Sequence, residues 1–296
     1  MGYATHRTHT PTTMDTSSTV KTWGQALDWQ MRRWKRMPSI KTNTINAAHI
    51  TRHIGRSFPL SKMGKRRFWI ELQEELLDEG KSTSTVNRIC SVGSTVMKET
   101  FLADLHPTEI AKFKRLQEGE HRLTWFTKDD IEKLVFTAIN TFDRSDIADA
   151  ILFASYTGVR QSELLKLKGR DLDLAKWQVW VGGKPDCVTK AKNVRCVGLP
   201  ERIRDVVLAR KDERLLFGCD WDTKDQLYYQ FTKIRDHAGF PKDHCFHSLR
   251  HSYGTWLGEN SSITTIAALM GHKDRSSTEK YVKPSDTAMS AATDLL

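Results

Sequence analysis

The stretch FHSLRHSYGTWL, residues 246–257, places His247, Arg250 and His251 within five positions. On a helix His247 and His251 stand four apart on one face, the spacing with which a helix offers two metal ligands. The metalloprotease pattern needs a Glu directly after the first His, and Ser248 stands there instead. Arg250, less than one turn from His247, repels a cation and suits an anion, for which a phosphate group is the leading candidate.

Other polar residues of the second half deserve the same question. Arg160 follows YTGV at a helix start, and Lys190 lies in the connection between two strand-like segments. His272 follows LMG, and Tyr281 comes nine residues later. Taken singly, each has an ordinary explanation: an ion pair with Glu163 for Arg160, solubility for Lys190, a cap or core role for His247, a turn for His272, packing for Tyr281.

Charge points to a polyanion. The 296 residues carry a formal net charge of +10, and the stretch from Trp29 to Ile70 contains no acidic residue at all. That stretch carries Arg32, Arg33, Lys35, Arg36, Lys41, Arg52, Arg56, Lys62, Lys65, Arg66 and Arg67. Forty-two residues without one carboxylate favour nucleic acid over a merely solvated face. A membrane partner is not expected: no apolar run is long enough to span, and MGYATH lacks the Ser or Thr that myristoylation prefers at position 6. Five cysteines without a CxxC pair predict reduced thiols, no structural zinc and a cytoplasmic location.

The elements that must position these groups read as mainly α with a small antiparallel β-sheet. Residues 1–20 lack apolar periodicity and are expected to be a disordered tail. Residues 21–106 carry four helical patterns, TWGQALDWQMRRW, NTINAAHITRHIG, GKRRFWIELQEELLDEG and STSTVNRICSVGSTVMKETFLADL, which predict a small basic bundle. Residues 107–121 read as a linker. A second domain, 122–285, opens on FTKDDIEKLV, where Thr127 and Asp130 form a capping box. It continues with a helix ending at Gly158, a helix begun by RQSELLKLKGRDLD, and alternating strands in KWQVWVGG and NVRCVGLP. Helices over 200–213, 223–238, 247–259, 262–270 and 276–282 complete it. Residues 286–296 form a tail with Met289, Ala292 and Leu296 at roughly helical spacing, as a segment exchanged between protomers has.

In sequence order TGVRQSELLKL, TKAKNVRCVGLP, HSLRH, LMGH and STEKY resemble the catalytic boxes of the tyrosine recombinases, the phage integrase and Xer family of site-specific DNA strand exchangers. The resemblance covers 122–285, and the basic bundle is similar to the family's SAM-like core-binding domain. It implies that Arg160, Lys190, His247, Arg250 and His272 bind and activate a scissile phosphate and that Tyr281 is the nucleophile, with His247 as its general base and Lys190 as the acid for the departing 5′ oxygen. Glu163 then orients Arg160, and His251 has a packing role. Counting back from VGLP selects Lys190 over Lys184 and Lys192, which flank it in a connection longer than the family's usual hairpin.

The same resemblance implies double-stranded DNA attachment sites as substrate, a 3′-phosphotyrosine intermediate, a homotetramer on DNA, and neither metal nor nucleotide cofactor. The two domains would close as a clamp on duplex DNA. About twenty residues precede the bundle, so no arm-binding domain is expected. That departure leaves integration, excision and dimer resolution open; the longer hairpin and the absence of a GKGNK box favour integration or excision of a phage or mobile-element genome, with accessory DNA-bending or directionality proteins as further partners. Xer-like dimer resolution, type IB topoisomerase relaxation and a non-catalytic DNA-binding regulator are the alternatives.

Overall fold

The computed structural model describes residues 20–119, 123–183, 194–218, 220–221, 223–272, 274 and 276–282. The chain divides into two compact units, Met1–His121 and Arg122–Leu296. The expected tails, 1–20 but for its last residue and 286–296, lie outside the described residues.

The first unit is helical. Its described elements are α1 (Trp23–Trp34), α2 (Ile40–Ile54), α3 (Leu60–Met63), α4 (Arg66–Asp78) and α5 (Thr83–Leu102). Thr22 caps α1 through a capping box with Gln25. Apolar residues at helical spacing, Trp23, Ala26, Leu27 and Trp34, then turn one face of α1 into the core. Gly93 on α5 permits close packing there: a Cβ would stand 2.6 Å from Ile50 Cδ1 and 3.0 Å from the Trp69 ring. The one-turn α3 starts after Pro59 in the segment SFPLSK between α2 and α4.

The expected linker 107–121 does not behave as one over its described part. Ile110, Phe113 and Leu116 pack on the helical core. Phe113 stacks on Trp69 with ring centroids 4.8 Å apart. The Asn87 side chain pairs with both backbone groups of Leu116, each at 2.9 Å. Buried amide side chains on α4 and α5 need partners, and this irregular backbone supplies them: Gln73 donates to Lys114 O at 3.1 Å.

The second unit is also mainly α, with one small sheet. It contains α6 (Lys128–Asn140), α7 (Ser145–Thr157), α8 (Gln161–Leu164), β1 (Leu172–Asp173), β2 (Gln178–Val181), β3 (Arg195–Gly198), α9 (Arg204–Arg210), α10 (Lys224–His237), α11 (Phe246–Gly258), α12 (Ile263–Met270) and α13 (Ser276–Glu279). Thr127 and Asp130 form the expected capping box on α6. Strand order is β1-β2-β3, antiparallel throughout, with Val179 opposite Val197 and Val181 opposite Arg195. Val179, Val181 and Val197 are buried, so one sheet face joins the core formed by α6, α7, α10 and α11.

RQSELLKLKGRDLD makes only one turn of α-helix. Asp171 accepts from the Lys168 backbone N–H at 2.9 Å, which starts a separate 3₁₀ turn at Gly169–Asp171. Gly169 is also pressed against another segment, since a Cβ there would lie 2.2 Å from Lys211 O. No described helix is long and apolar enough to cross a membrane.

Candidate active site

Helix α7 ends on Gly158 in the left-handed conformation (φ 63°), where glycine bears no Cβ penalty and where a Cβ would strike the Tyr253 ring at 2.3 Å. The chain then turns through buried Val159 and presents Arg160 just before α8. Glu163, one turn into α8, accepts from the Arg160 backbone N–H and from Arg160 Nη1, both at 2.8 Å.

The same carboxylate grips a second guanidinium. Arg195 of β3 donates from Nη1 at 3.1 Å and from Nη2 at 2.8 Å. Burial of Glu163 opposes its ionisation, but the hydrogen bonds and charge of Arg195, reinforced by Arg160, prevail and hold its pKa at about 2. The only carboxylate in this cluster among the described residues is thus committed to two arginines.

Arg250 of α11 is almost fully buried. Its Nη1 donates to Gly158 O at 2.5 Å and its Nη2 to Met270 O. These carbonyls stand at the C-terminal ends of α7 and α12, where unpaired acceptors and the helix dipole favour a cation. Burial, then the charges of Arg160 and Arg195, lower its pKa to about 10, which leaves it a cation at neutral pH. A guanidinium has five N–H donors, and among the described residues two groups accept from it, Gly158 O and Met270 O.

Three imidazoles surround this pair of arginines. His247 and His251 stack edge to face on α11, ring centroids 4.7 Å apart. His272 follows Gly271, whose left-handed conformation (φ 62°) closes α12, and its Nδ1 is 2.9 Å from Thr278 Oγ1. Burial, followed by nearby positive charge, lowers all three: His247 to about 4, His251 to about 3 and His272 to about 4. For His251 the neighbouring His247 ranks directly after burial. His247 is nevertheless exposed to solvent, which weakens the effect of burial on it.

Tyr281 closes the cluster from the segment after α13. It is 4% exposed, and its Oη lies 2.7 Å from His251 Nδ1. Its ring lies nearly parallel to His272, centroids 6.2 Å apart, and Lys280 Nζ stands 5.1 Å from the ring centroid. Burial raises the phenol to about 12 against the opposing pull of Arg250 and Arg160.

An expected pH dependence of stability follows. The unfolded chain takes up protons at its histidines near pH 6.5, whereas the folded cluster resists them down to about pH 4 or 3. Acidification therefore favours the unfolded chain. Stability is complete above pH 6.5 and falls as pH drops towards 4, by on the order of 1 kcal/mol for each of His251 and His272 at pH 5.5 and less for His247. Urea midpoints measured from pH 7.5 to 4.5 check this, and a flat profile would contradict it.

The structure thus brings together Arg160, Glu163, His247, Arg250, His251, His272 and Tyr281. Lys190, with Lys184 and Lys192, lies outside the described residues. Among the described residues no group of three or more His, Cys, Asp or Glu side chains is arranged to hold a metal ion.

The phage integrase family model matches residues 124–288, more than half of the chain. The chain belongs to the phage integrase family. A relative in it, tyrosine recombinase XerA of Thermococcus kodakarensis, is 30% identical over 169 residues, covering 53% of this chain and 57% of that protein. The integrase of transposon Tn1549, solved with a circular-intermediate DNA, superposes with a TM-score of 0.71 at 18% identity, over 94% of this chain and 100% of that one. A lambda integrase tetramer bound to a Holliday junction gives 0.70 at 16%, over 94% and 82%. At these identities the likeness carries the fold, which is the integrase fold.

Two features of this integrase site escape a reading by motif. Arg195 sits in NVRCVG at a position whose two-residue period points it inward beside Val197, and an arginine on a buried strand face demands an acidic partner. That demand was readable; Glu163 as its partner was not. Lys280 is the other, one of many exposed-looking lysines until α13 folds it over the Tyr281 ring. His251, expected to pack, touches the Tyr281 hydroxyl instead.

The expected DNA-contacting residues of the first unit, Arg32, Arg33, Lys35, Arg36, Lys41, Arg52, Arg56, Lys65, Arg66 and Arg67, are all exposed. Arg33, Arg56 and Arg67 pair with Glu99, Asp28 and Glu71. Among the described residues the other seven carry no ion pair.

Proposed function

We propose that this protein is a site-specific DNA recombinase that cleaves and rejoins strands through a 3′-phosphotyrosine, with Tyr281 as nucleophile. The observation that carries the reading is the Tyr281 hydroxyl held inside a cluster of arginines and imidazoles whose one carboxylate, Glu163, is already neutralised. Attack on a phosphodiester builds negative charge on five-coordinate phosphorus, and preorganised donors must meet it. Arg160 and Arg250 supply fixed forks for the nonbridging oxygens without a metal. His247 and His272 are neutral at pH 7 and donate as hydrogen-bond partners; with Nδ1 of His272 engaged by Thr278, its Nε2 faces the substrate. Lys190 protonates the departing 5′ oxygen.

Because the phosphotyrosine conserves the energy of the broken bond, the 5′ hydroxyl of another strand reverses the step and no nucleotide is consumed. Exchange between two duplexes uses four protomers, as in the lambda integrase tetramer on a Holliday junction. The acid-free run of the first unit grips the DNA backbone, and integration or excision of a phage or mobile-element genome is the role that fits best. Accessory proteins bend the DNA or set direction.

The test is covalent trapping. Protein is incubated in EDTA with fragmented candidate host and phage DNA and denatured, and the DNA that stays attached is sequenced. Adducts clustered at one site, formed as well in EDTA as in magnesium, are expected. Scattered adducts would indicate relaxation of a topoisomerase type, and sequence-specific binding without adducts would indicate a regulator.

A further inference from the structure

The nucleophile's hydroxyl has one hydrogen-bond partner among the described residues, and it is His251. Residues 247, 251, 254 and 258 form one stripe of α11, spaced four, three and four apart. The stripe faces Tyr281. At Gly254 a Cβ would stand 2.9 Å from the Tyr281 ring, and at Gly258 it would stand 2.0 Å from the Tyr281 carbonyl oxygen. Two glycines thus seat the Tyr281 segment against α11, and His251 meets the hydroxyl that this seating delivers. His247 lies one turn earlier, is exposed, and among the described residues makes no hydrogen bond to Tyr281.

We infer that His251, and not His247, accepts the Tyr281 proton as Oη attacks the scissile phosphate. The inference rests on the phosphotyrosine reading above and assigns its base. In the step, the Oη–P bond forms and the P–O5′ bond breaks. The phenolic proton passes to His251 Nδ1, which accepts it with its own proton on Nε2. The 5′ oxygen takes its proton from the separate acid, Lys190 in that reading. Religation returns each proton to its donor: the incoming 5′ hydroxyl yields its proton to the acid's neutral form, and Tyr281 leaves with the one held on His251.

The surroundings suit an acceptor. Half-buried, and facing His247 and Arg250 on α11, His272 from the turn after α12 and Lys280 beside Tyr281, the ring stays neutral at physiological pH. Negative charge growing on phosphorus offsets those cations at the moment the proton moves, so transfer is tied to bond formation. His247 is then free to donate to a phosphate oxygen.

The experiment uses a nicked suicide duplex carrying the site recovered by covalent trapping, in a normal form and in a form with sulfur at the bridging 5′ position. A thiolate leaves without an acid, yet Tyr281 still needs a base. Single-turnover cleavage is measured for the full chain, His251→Ala, His251→Asn and Tyr281→Phe, with DNA affinity measured alongside. Asn keeps an acceptor near the Nδ1 position and preserves the contact, but it does not take the proton. Expected is a loss of about 10²–10⁴-fold for both His251 variants on both substrates, with affinity unchanged and partial recovery on the sulfur substrate as pH rises to about 9. Cleavage by His251→Asn at the wild-type rate would reduce His251 to a positioning residue and overturn the inference. Rescue of His251→Ala by the sulfur substrate alone would make it an acid and overturn it equally. Absence of adducts from the unsubstituted chain, or adducts from Tyr281→Phe, would instead overturn the phosphotyrosine reading beneath it.

Discussion

Tyr281→Phe abolishes covalent attachment to DNA while the protein still folds and still binds. The substitution removes one oxygen and leaves the ring against Gly254 and His272 and the Tyr281 carbonyl against Gly258. The hydrogen bond lost with it is a single one to His251, worth about 1 kcal/mol of stability. The chemistry has no substitute, because among the described residues no other hydroxyl meets His251, and Thr278 Oγ1 is held at His272 Nδ1. The expected result is loss of adducts to the detection limit, at least about 10³-fold, with a urea midpoint close to that of the unsubstituted protein. Quantitative gel shift and denaturing gels on the same samples separate binding from attachment, and residual adducts above a few per cent would count against the assignment.

Arg250→Lys and Arg250→Ala carry the second large effect, and they separate two roles of one side chain. Arg250 holds the ends of α7 and α12 together through Gly158 O and Met270 O, and in the proposed reaction it also meets the phosphate. Lysine keeps the charge but cannot span two carbonyls and a phosphate with one planar fork. Loss of one such preorganised donor costs about 10²–10³ in rate, so cleavage by Arg250→Lys falls by at least that factor. Arg250→Ala also leaves both carbonyls buried without a donor and opens a cavity, and it is expected to cost about 3 kcal/mol or more of stability. Single-turnover cleavage and urea denaturation read the two roles independently. A lysine variant cleaving at the normal rate would show that the bidentate fork is not needed.

How much of this was legible in the sequence depends on distance along the chain. Local signals held: Thr127 with Asp130 at the start of α6, Gly158 and Gly271 at the ends of α7 and α12, and the alternation of β2 and β3. Each of these is decided within a few residues by capping chemistry, a left-handed backbone or a two-residue period. The course of the chain after α8 was not legible, because Gly169 is pressed against the Lys211 carbonyl forty-two residues away.

The site divides along the same line. HSLRH announces an anion site because Arg250 and two imidazole donors lie within little more than one turn, and the order of the boxes carries the resemblance to recombinases. Which atom meets which was hidden. Glu163 and Arg195 are 32 residues apart, and His251 and Tyr281 are 30 apart. Nothing in either local pattern distinguishes a histidine that packs from one that holds the nucleophile. The region 107–118 shows the reverse error, in which a charged and irregular stretch reads as a linker although Asn87, Gln73 and Trp69 wait to bind it.

The central claim is that Tyr281 Oη becomes bonded to a DNA 3′ phosphate. Mass spectrometry of the trapped adduct tests it most directly: the denatured complex is digested with nuclease and protease, and the nucleotide-bearing peptide is sequenced. The account predicts one modified residue, Tyr281, carrying a 3′-linked nucleotide, with a free 5′ hydroxyl on the released strand. A nucleotide on any other side chain, or a linkage through a 5′ phosphate, would contradict it.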